Sequence, residues 1–325
     1  MAIDTGTLTN VAFYVSFAII FAVLALGFNL QWGYTGLFNA GIAGFFLIGA
    51  YTAAFAITPP APPVYVGDTR IYPGHIGGFS QPFVVGALLA MIISGSAAAL
   101  IAVPTLRLRA DYLAIATLAF AEIIRVFAVN LESVTGGTIG IVLIPRLINT
   151  QPPNPFANAM VLVAVGAIVL LAVLFALNFM AETPWGRVLR AVREDEVTTM
   201  ALGKNTFLFK LQAFALGGAM MGLAGALFTV SLSYIEPSLS FAPAVTFSVW
   251  VMVIVGGAGN NRGAIIGAFL VYGMEWVSVQ LTDYVPDAFK DTIFYTRLMI
   301  IGVLLIVLII YRPQGILREK RRVLA

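Results

Sequence analysis

The sequence predicts an all-α, polytopic transmembrane helical bundle, and three observations predict it. Of 325 residues, 60% are hydrophobic and only 10% charged; mean hydropathy is +0.96; and long apolar runs recur from end to end with no polar block large enough to fold separately. A helix of a soluble domain buries one apolar face rather than a whole apolar run. Lipid is therefore the solvent for most of the chain, and residues 1–325 read as a single transmembrane domain.

A spanning helix needs roughly 20 mostly apolar residues. That rule predicts nine segments, near 11–31, 35–57, 83–105, 112–131, 159–181, 207–233, 243–258, 263–281 and 293–311. The first two lie on either side of "QWGYTG", and Gly33, Gly36 and the Gly-rich run "NAGIAGFFLIGAY" can make residues 27–45 a broken or re-entrant helix, a device of transporter pathways. The start, "MAIDTGTLTN", lacks the basic region of a signal peptide, and the apolar run after it reads as a retained span. The connections "TPPAPPVYVGDTRIYPGHIGGFSQP" and "NTQPPNPF" are Pro-rich and read as extended surface loops. In "ALGGAMMGLAGAL", Gly218 and Gly222 lie four apart and predict close helix packing.

Nine spans put Arg107, Arg109, Arg187, Arg190, Arg193, Lys204, Arg262, Arg312, Arg318, Lys320, Arg321 and Arg322 on one side, against Arg70, Arg146 and Lys290 on the other. By the positive-inside bias the first side, with the basic tail 312–325, is cytoplasmic and the amino terminus lies outside. There is no cysteine and the only histidine is His75, which rules out disulfides and thiolate sites and leaves no metal cluster or cofactor to expect. The net charge of +3 comes largely from these membrane-flanking basic residues and suits contact with lipid rather than nucleic acid.

Seven of the chain's charged side chains fall within "TPWGRVLRAVREDEVTTMALGKN", residues 183–205. Thr183 followed by Pro184 suits a helix start and Gly203 a helix end. The spacing predicts one amphipathic rod over about 184–202, roughly 28 Å long at 1.5 Å per residue. Lying on headgroups is one reading of it. Glu194, Asp195 and Glu196 would gain little from an anionic surface, however, and mixed charge suits a protein groove.

This stretch resembles, together with "GFNLQWGYTGLFNAGIAGFFLIGAYTAA", "PTLRLRADYLAIATLAFAEIIRVF", "VTGGTIGI" and "VIVGGAGNNRGAIIGA", the LivM-like permease subunits of branched-chain and neutral amino acid ABC importers. The resemblance implies an inner-membrane permease that pairs with a LivH-like second permease and two ABC ATPase subunits. It further implies an amino acid substrate delivered by a periplasmic or surface binding protein. It makes 184–202 a coupling helix whose docking surface comprises Arg187, Arg190, Arg193, Glu194, Asp195, Ala201, Leu202 and Gly203. ATP hydrolysis would belong to the partners. Gly203-Lys204 lacks the remaining P-loop positions, and "GGAGNNRG" reads as a tight turn between helices rather than a nucleotide fingerprint.

Charges inside spans are costly and mark functional sites. Glu122 and Arg125, three apart on one helix, either neutralise each other or orient a zwitterion, ammonium toward Glu122 and carboxylate toward Arg125. The interrupted region adds Asn29, Gln31, Tyr34, Thr35 and Asn39 as pathway candidates. Relatives read closer to "SLGHAAFF" where this chain has "NAGIAGFF", which leaves the solute open between leucine-like amino acids, a broader neutral set, and urea or short amides. A self-sufficient secondary transporter or channel is the alternative of another class; it would need an ion or proton relay, and Glu122 and Glu275 offer little of one. A membrane enzyme would need clustered His, Asp or Glu at one face, so the chain is expected to carry no catalytic function.

Overall fold

The computed structural model describes residues 5–60, 65–66, 69–70, 78–148, 154–238, 240–281, 296, 299–300, 302–303, 306–307, 310–312 and 314–319. Eleven helices make up most of the described chain: α1 (Thr5–Phe28), α2 (Ile42–Ile57), α3 (Phe83–Thr105), α4 (Ala110–Asn130), the single turn α5 (Glu132–Thr135), α6 (Pro155–Glu182), α7 (Pro184–Glu194), α8 (Glu196–Ala201), α9 (Thr206–Leu232), α10 (Pro243–Gly256) and α11 (Asn261–Leu281). A two-residue hairpin, β1 (Tyr65–Val66) and β2 (Thr69–Arg70), falls in the first Pro-rich connection. His75, Lys290, Arg297, Lys320, Arg321 and Arg322 lie outside the described residues.

Among the described residues, six helices are long and apolar enough to cross a membrane: Gly6–Gly33, Phe83–Thr105, Ala110–Asn130, Pro155–Glu182, Thr206–Leu232 and Asn261–Gln280. Two more of the nine expected segments are shorter helices, Ile42–Ile57 and Pro243–Gly256. The ninth, 293–311, lies largely outside the described residues, and those described within it are helical. The shortening of α2 has a local cause. α1 runs on through a π-helical turn, Asn29–Gly33, and residues 34–41 then turn back without helical structure before α2 starts.

Helix starts follow from capping chemistry. Pro155, Pro184 and Pro243 occupy the first turns of α6, α7 and α10, where no N–H is needed. Asn154 and Asn205 accept from the N–H groups of Ala157 (3.1 Å) and Leu208 (3.2 Å) at the starts of α6 and α9.

α9, α1 and α2 form the centre, with α3, α4, α6 and α11 around them; 83% of the apolar window of α9 is buried, against 22% for α4 and for α6. Small residues let α9 sit there. A Cβ added at Gly218 would lie 2.3 Å from the Ala98 Cβ on α3, one at Gly222 would lie 2.5 Å from the Ala90 carbonyl, and one at Gly225 would lie 2.4 Å from the Phe46 carbonyl on α2. The Gly218 and Gly222 pair thus makes the close packing that its spacing predicts, against α3. Ser94 reinforces this junction: its hydroxyl lies 2.8 Å from the Gly218 carbonyl and 3.0 Å from that of Phe45.

The turn "GGAGNNRG" joins α10 to α11, with Gly257 (φ 111°) and Gly259 (φ 81°) in conformations that favour glycine. The chain near its carboxyl end lies across this turn. The N–H groups of Ile316 and Leu317 donate to the carbonyls of Val255 (2.9 Å) and Gly256 (3.0 Å), satisfying acceptors that the end of α10 leaves open.

Inserting side-chain volume at the α3/α9 junction should be destabilising by about 1–3 kcal/mol or more. Gly222→Leu is expected to lose most of the monodisperse protein in detergent size-exclusion chromatography. Gly302→Leu, where a Cβ meets nothing within 4 Å, should behave as the parent.

Candidate functional site beneath α7

Thr183 immediately precedes α7, but its hydroxyl does not cap the helix; it donates backward to the Met180 carbonyl (2.6 Å). Gly186, Leu189 and Val192 form the buried face. The continuous rod expected over 184–202 is instead two helices meeting at Asp195, whose backbone is extended (φ −155°, ψ 105°). The reason is local competition for backbone groups. The Asp195 carboxylate accepts from the Thr198 hydroxyl (2.6 Å) and N–H (3.0 Å), which starts α8 and ends α7. Those bonds, the hydroxyl's foremost, hold the Asp195 carboxyl below its usual range. Gly203 follows α8 at φ 76°, as its expected role at a helix end requires. Glu196 ties α8 to α9 through Lys210 (2.5 Å) and the Thr206 hydroxyl (3.0 Å).

The eight residues expected to dock a partner divide in two. Arg187, Glu194, Asp195, Ala201, Leu202 and Gly203 are exposed, whereas Arg190 and Arg193 turn into the protein. Arg190 donates to the carbonyls of Ala181 and Gly186 and stacks its guanidinium 5.8 Å from the centre of the Tyr34 ring. Arg193 donates to the Gly33 carbonyl at the end of the π-helical turn, to Glu319 near the carboxyl end (2.7 Å) and to Glu194 (3.1 Å). Burial opposes the Arg193 charge, yet the two carboxylates more than offset it and raise its pKa further. The surface also holds Val197 (72% exposed) and Met200, which charge counting overlooked. Their signal was apolar side chains within an otherwise polar run.

Beneath Arg193, the structure gathers Asn29, Gln31, Tyr34, Thr35 and Asn39, all buried. Asn29 donates to Asn261 (2.9 Å) and accepts from the Gly259 N–H (2.8 Å), while Asn261 donates on to Asn178 of α6 (2.9 Å). Gln31 donates to the Phe214 carbonyl (2.8 Å) and accepts from Asn39 (2.8 Å). Asn39 in turn accepts from the Gly41 N–H (2.7 Å). Thr35 donates to the Gln31 carbonyl. The free N–H groups where α2 begins are met by hydroxyls of neighbouring helices: Ala40 by Thr117 (2.9 Å) and Ala43 by Thr246 (3.1 Å). Each amide of Asn29, Gln31 and Asn39 is engaged at both its nitrogen and its oxygen. Together they stitch the interrupted helix to α4, α6, α9, α10 and α11.

Glu122 and Arg125 lie apart from this cluster. They form a two-pronged ion pair on α4, Arg125 Nε donating to Glu122 Oε2 at 3.0 Å and a second nitrogen to Oε1. Glu275 accepts from the Ser248 hydroxyl (3.1 Å).

Residues 10–309 match the family described as branched-chain amino acid transport system / permease component. The chain belongs to that family. It is 32% identical to the high-affinity branched-chain amino acid transport system permease protein LivM of Salmonella typhimurium, over 98% of this chain and 71% of the relative. It is 28% identical to a probable LivM permease of Methanocaldococcus jannaschii, over 93% of this chain and 91% of that one. The LivH permease of Salmonella typhimurium is 26% identical over 91% of each chain. No solved structure matches. Family membership and the apolar helices make the protein a multi-pass membrane permease component, and α7, α8 and the polar cluster under them are the best-defined site within it.

Removing the Asn29 amide strands the Gly259 N–H and one side of Asn261. Each buried polar group so left costs about 1–3 kcal/mol. Asn29→Ala is expected to lower the thermal midpoint of the purified protein markedly, whereas Lys204→Ala, on the exposed surface, should leave it unchanged.

Proposed function

We propose that this chain is the LivM-type permease of an ABC importer for branched-chain or other neutral, hydrophobic amino acids. It works beside a LivH-type permease, with a binding protein supplying the substrate and two ATPase subunits the energy. Support for the substrate class comes from the branched-chain amino acid transport for which its relatives are named. The observation that carries the subunit's role is the division of α7 and α8 into two faces. Arg190 and Arg193 anchor the pair of helices inward, while Arg187, Glu194, Asp195, Val197, Met200 and Leu202 face outward. Mixed charge around exposed apolar side chains suits a protein groove better than headgroups. No bond chemistry is assigned to this chain; ATP is hydrolysed by the partners.

The bundle completes nine segments when α2, α10 and the segment near 293–311 join the six long helices, with α1 and α2 as the broken pair. The α7 end, the basic tail and the α10/α11 turn are cytoplasmic and the amino terminus is outside. Supporting this, residues 33–36, 193, 257–259 and 314–319 meet at one end of the bundle, the end to which charge bias assigns the basic loops. Within the bundle, the pathway residues take two roles. Glu122 and Arg125 orient the zwitterion. Asn29, Gln31, Tyr34, Thr35 and Asn39 form the hinge that moves when the ATPases close against α7 and α8.

The test is reconstitution with the ATPase subunits. Val197→Asp with Leu202→Asp should cut ATP-driven uptake at least tenfold and remove co-purifying ATPase, while detergent-solubilised protein remains monodisperse. Unchanged uptake and co-purification would remove the docking assignment. Competition by a panel of neutral amino acids, urea and small amides defines the solute; inhibition by amides alone would overturn the amino acid reading.

A further inference from the structure

We propose that the exposed face of α4 is the seam against the second permease subunit, which covers Glu122 and Arg125 with polar groups of its own. This rests on the two-permease reading above. α4 packs on the bundle through Leu113, Thr117, Ala121 and Ala128, with Phe120 against Phe45 (ring centres 5.3 Å apart) and Ile124 beside them. Ile115, Leu118, Glu122 and Val126 recur at i, i+3, i+7 and i+11 and form a stripe on the other side. Glu122 lies twelve residues beyond Ala110, about 18 Å along the helix at 1.5 Å per residue, and so past the middle of a hydrocarbon core about 30 Å thick.

At that depth the Glu122 side chain is 42% exposed and that of Arg125 24% exposed. Their mutual bonds leave carboxylate and guanidinium edges open, and acyl chains offer no donor or acceptor to them. The exposed faces of two other outer helices are apolar and suit lipid: Val84, Leu88, Ile92 and Leu100 on α3, and Ile168, Leu171, Phe175 and Phe179 on α6. The α4 stripe is different because it carries a charged pair.

The occupant follows from the same comparison that places the chain. Full-length similarity extends to LivH as well as LivM permeases, so the two kinds of subunit share one chain plan over 91% of their length. Related subunits meet through equivalent faces when they pair about a two-fold or pseudo-two-fold axis. A LivH-type partner therefore brings its own α4 equivalent to this stripe. The partner's polar groups would meet Glu122 and Arg125 from one side and leave their remaining edges to a solute passing along the seam.

The chain contains no cysteine, so single cysteines can be placed without background. Ile115→Cys, Leu118→Cys and Val126→Cys on α4, with Ile92→Cys on α3 and Phe175→Cys on α6, would each be labelled with a photoactivatable benzophenone maleimide in the assembled, uptake-competent complex. The α4 sites are expected to give adducts with the second permease at least tenfold above the α3 and α6 sites. Adducts with lipid alone from α4, labelling by water-soluble maleimide without any protein adduct, or stronger partner adducts from α3 or α6 would overturn the seam while leaving the importer reading intact. Purification of an active complex with no second permease would overturn both.

Discussion

One guanidinium holds the α7 end of the bundle together. Arg193 reaches the last carbonyl of the π-helical turn with one nitrogen and Glu319 and Glu194 with another, joining three stretches that are far apart in sequence. Only a planar fork of fixed donors can serve a carbonyl and two carboxylates in divergent directions; an ammonium on a flexible stem would not hold that geometry. The tail bearing Glu319 is itself fixed by Ile316 and Leu317 on the end of α10. Gly259 allows the approach, since a Cβ there would lie 3.1 Å from an Arg193 nitrogen and 3.0 Å from the Glu319 carboxyl carbon.

The interrupted helix below it is a problem in hydrogen bonding. Breaking a helix frees carbonyls at one end and N–H groups at the other, and here they are buried in protein away from water. The protein answers with side chains. Asn29, Gln31 and Asn39 come from the break itself, Asn261 and Asn178 from α11 and α6, and Thr117 and Thr246 from α4 and α10. Because these partners come from four helices besides α1 and α2, the break is rigid only while the helices keep their spacing, a spacing the small residues of α9 set. Polarity, interruption and close packing are thus one arrangement.

Much of the fold was legible because apolar runs carry their own boundaries. The expected 83–105, 112–131, 207–233 and 263–281 lie within two residues of α3, α4, α9 and α11, whose ends are marked by proline, arginine, asparagine and glycine. α6 begins four residues earlier than expected because Asn154 and Pro155 cap it from within the Pro-rich loop. The direction of Arg190 and Arg193 was hidden for a physical reason. Charge predicts exposure only when no buried acceptor is near, and their acceptors, the carbonyls of Ala181 and Gly33, leave no trace in side-chain identity. The break at Asp195 was legible in principle, since Asp is a favoured N-cap residue whose carboxylate meets the N–H groups of a new helix. A continuous charged pattern masked it.

The same contacts define how motion at the surface can reach the membrane. A force on the outward face of α7 acts on Arg193, and through it on the Gly33 carbonyl, because the fork cannot lengthen without losing its bonds. Residues 34–41 follow, held at both ends, and the Ala40 N–H carries the displacement to the Thr117 hydroxyl on α4. Thr117 stands five residues before Glu122, about 7.5 Å along the same helix at 1.5 Å per residue. α4 is among the helices least buried by the rest of the chain, so it can respond with little repacking. The proposed docking patch and the proposed α4 seam are then opposite ends of one connected element. Each buried amide of Asn29, Gln31 and Asn39 between them meets two partners, so a replacement would have to reach the same two groups.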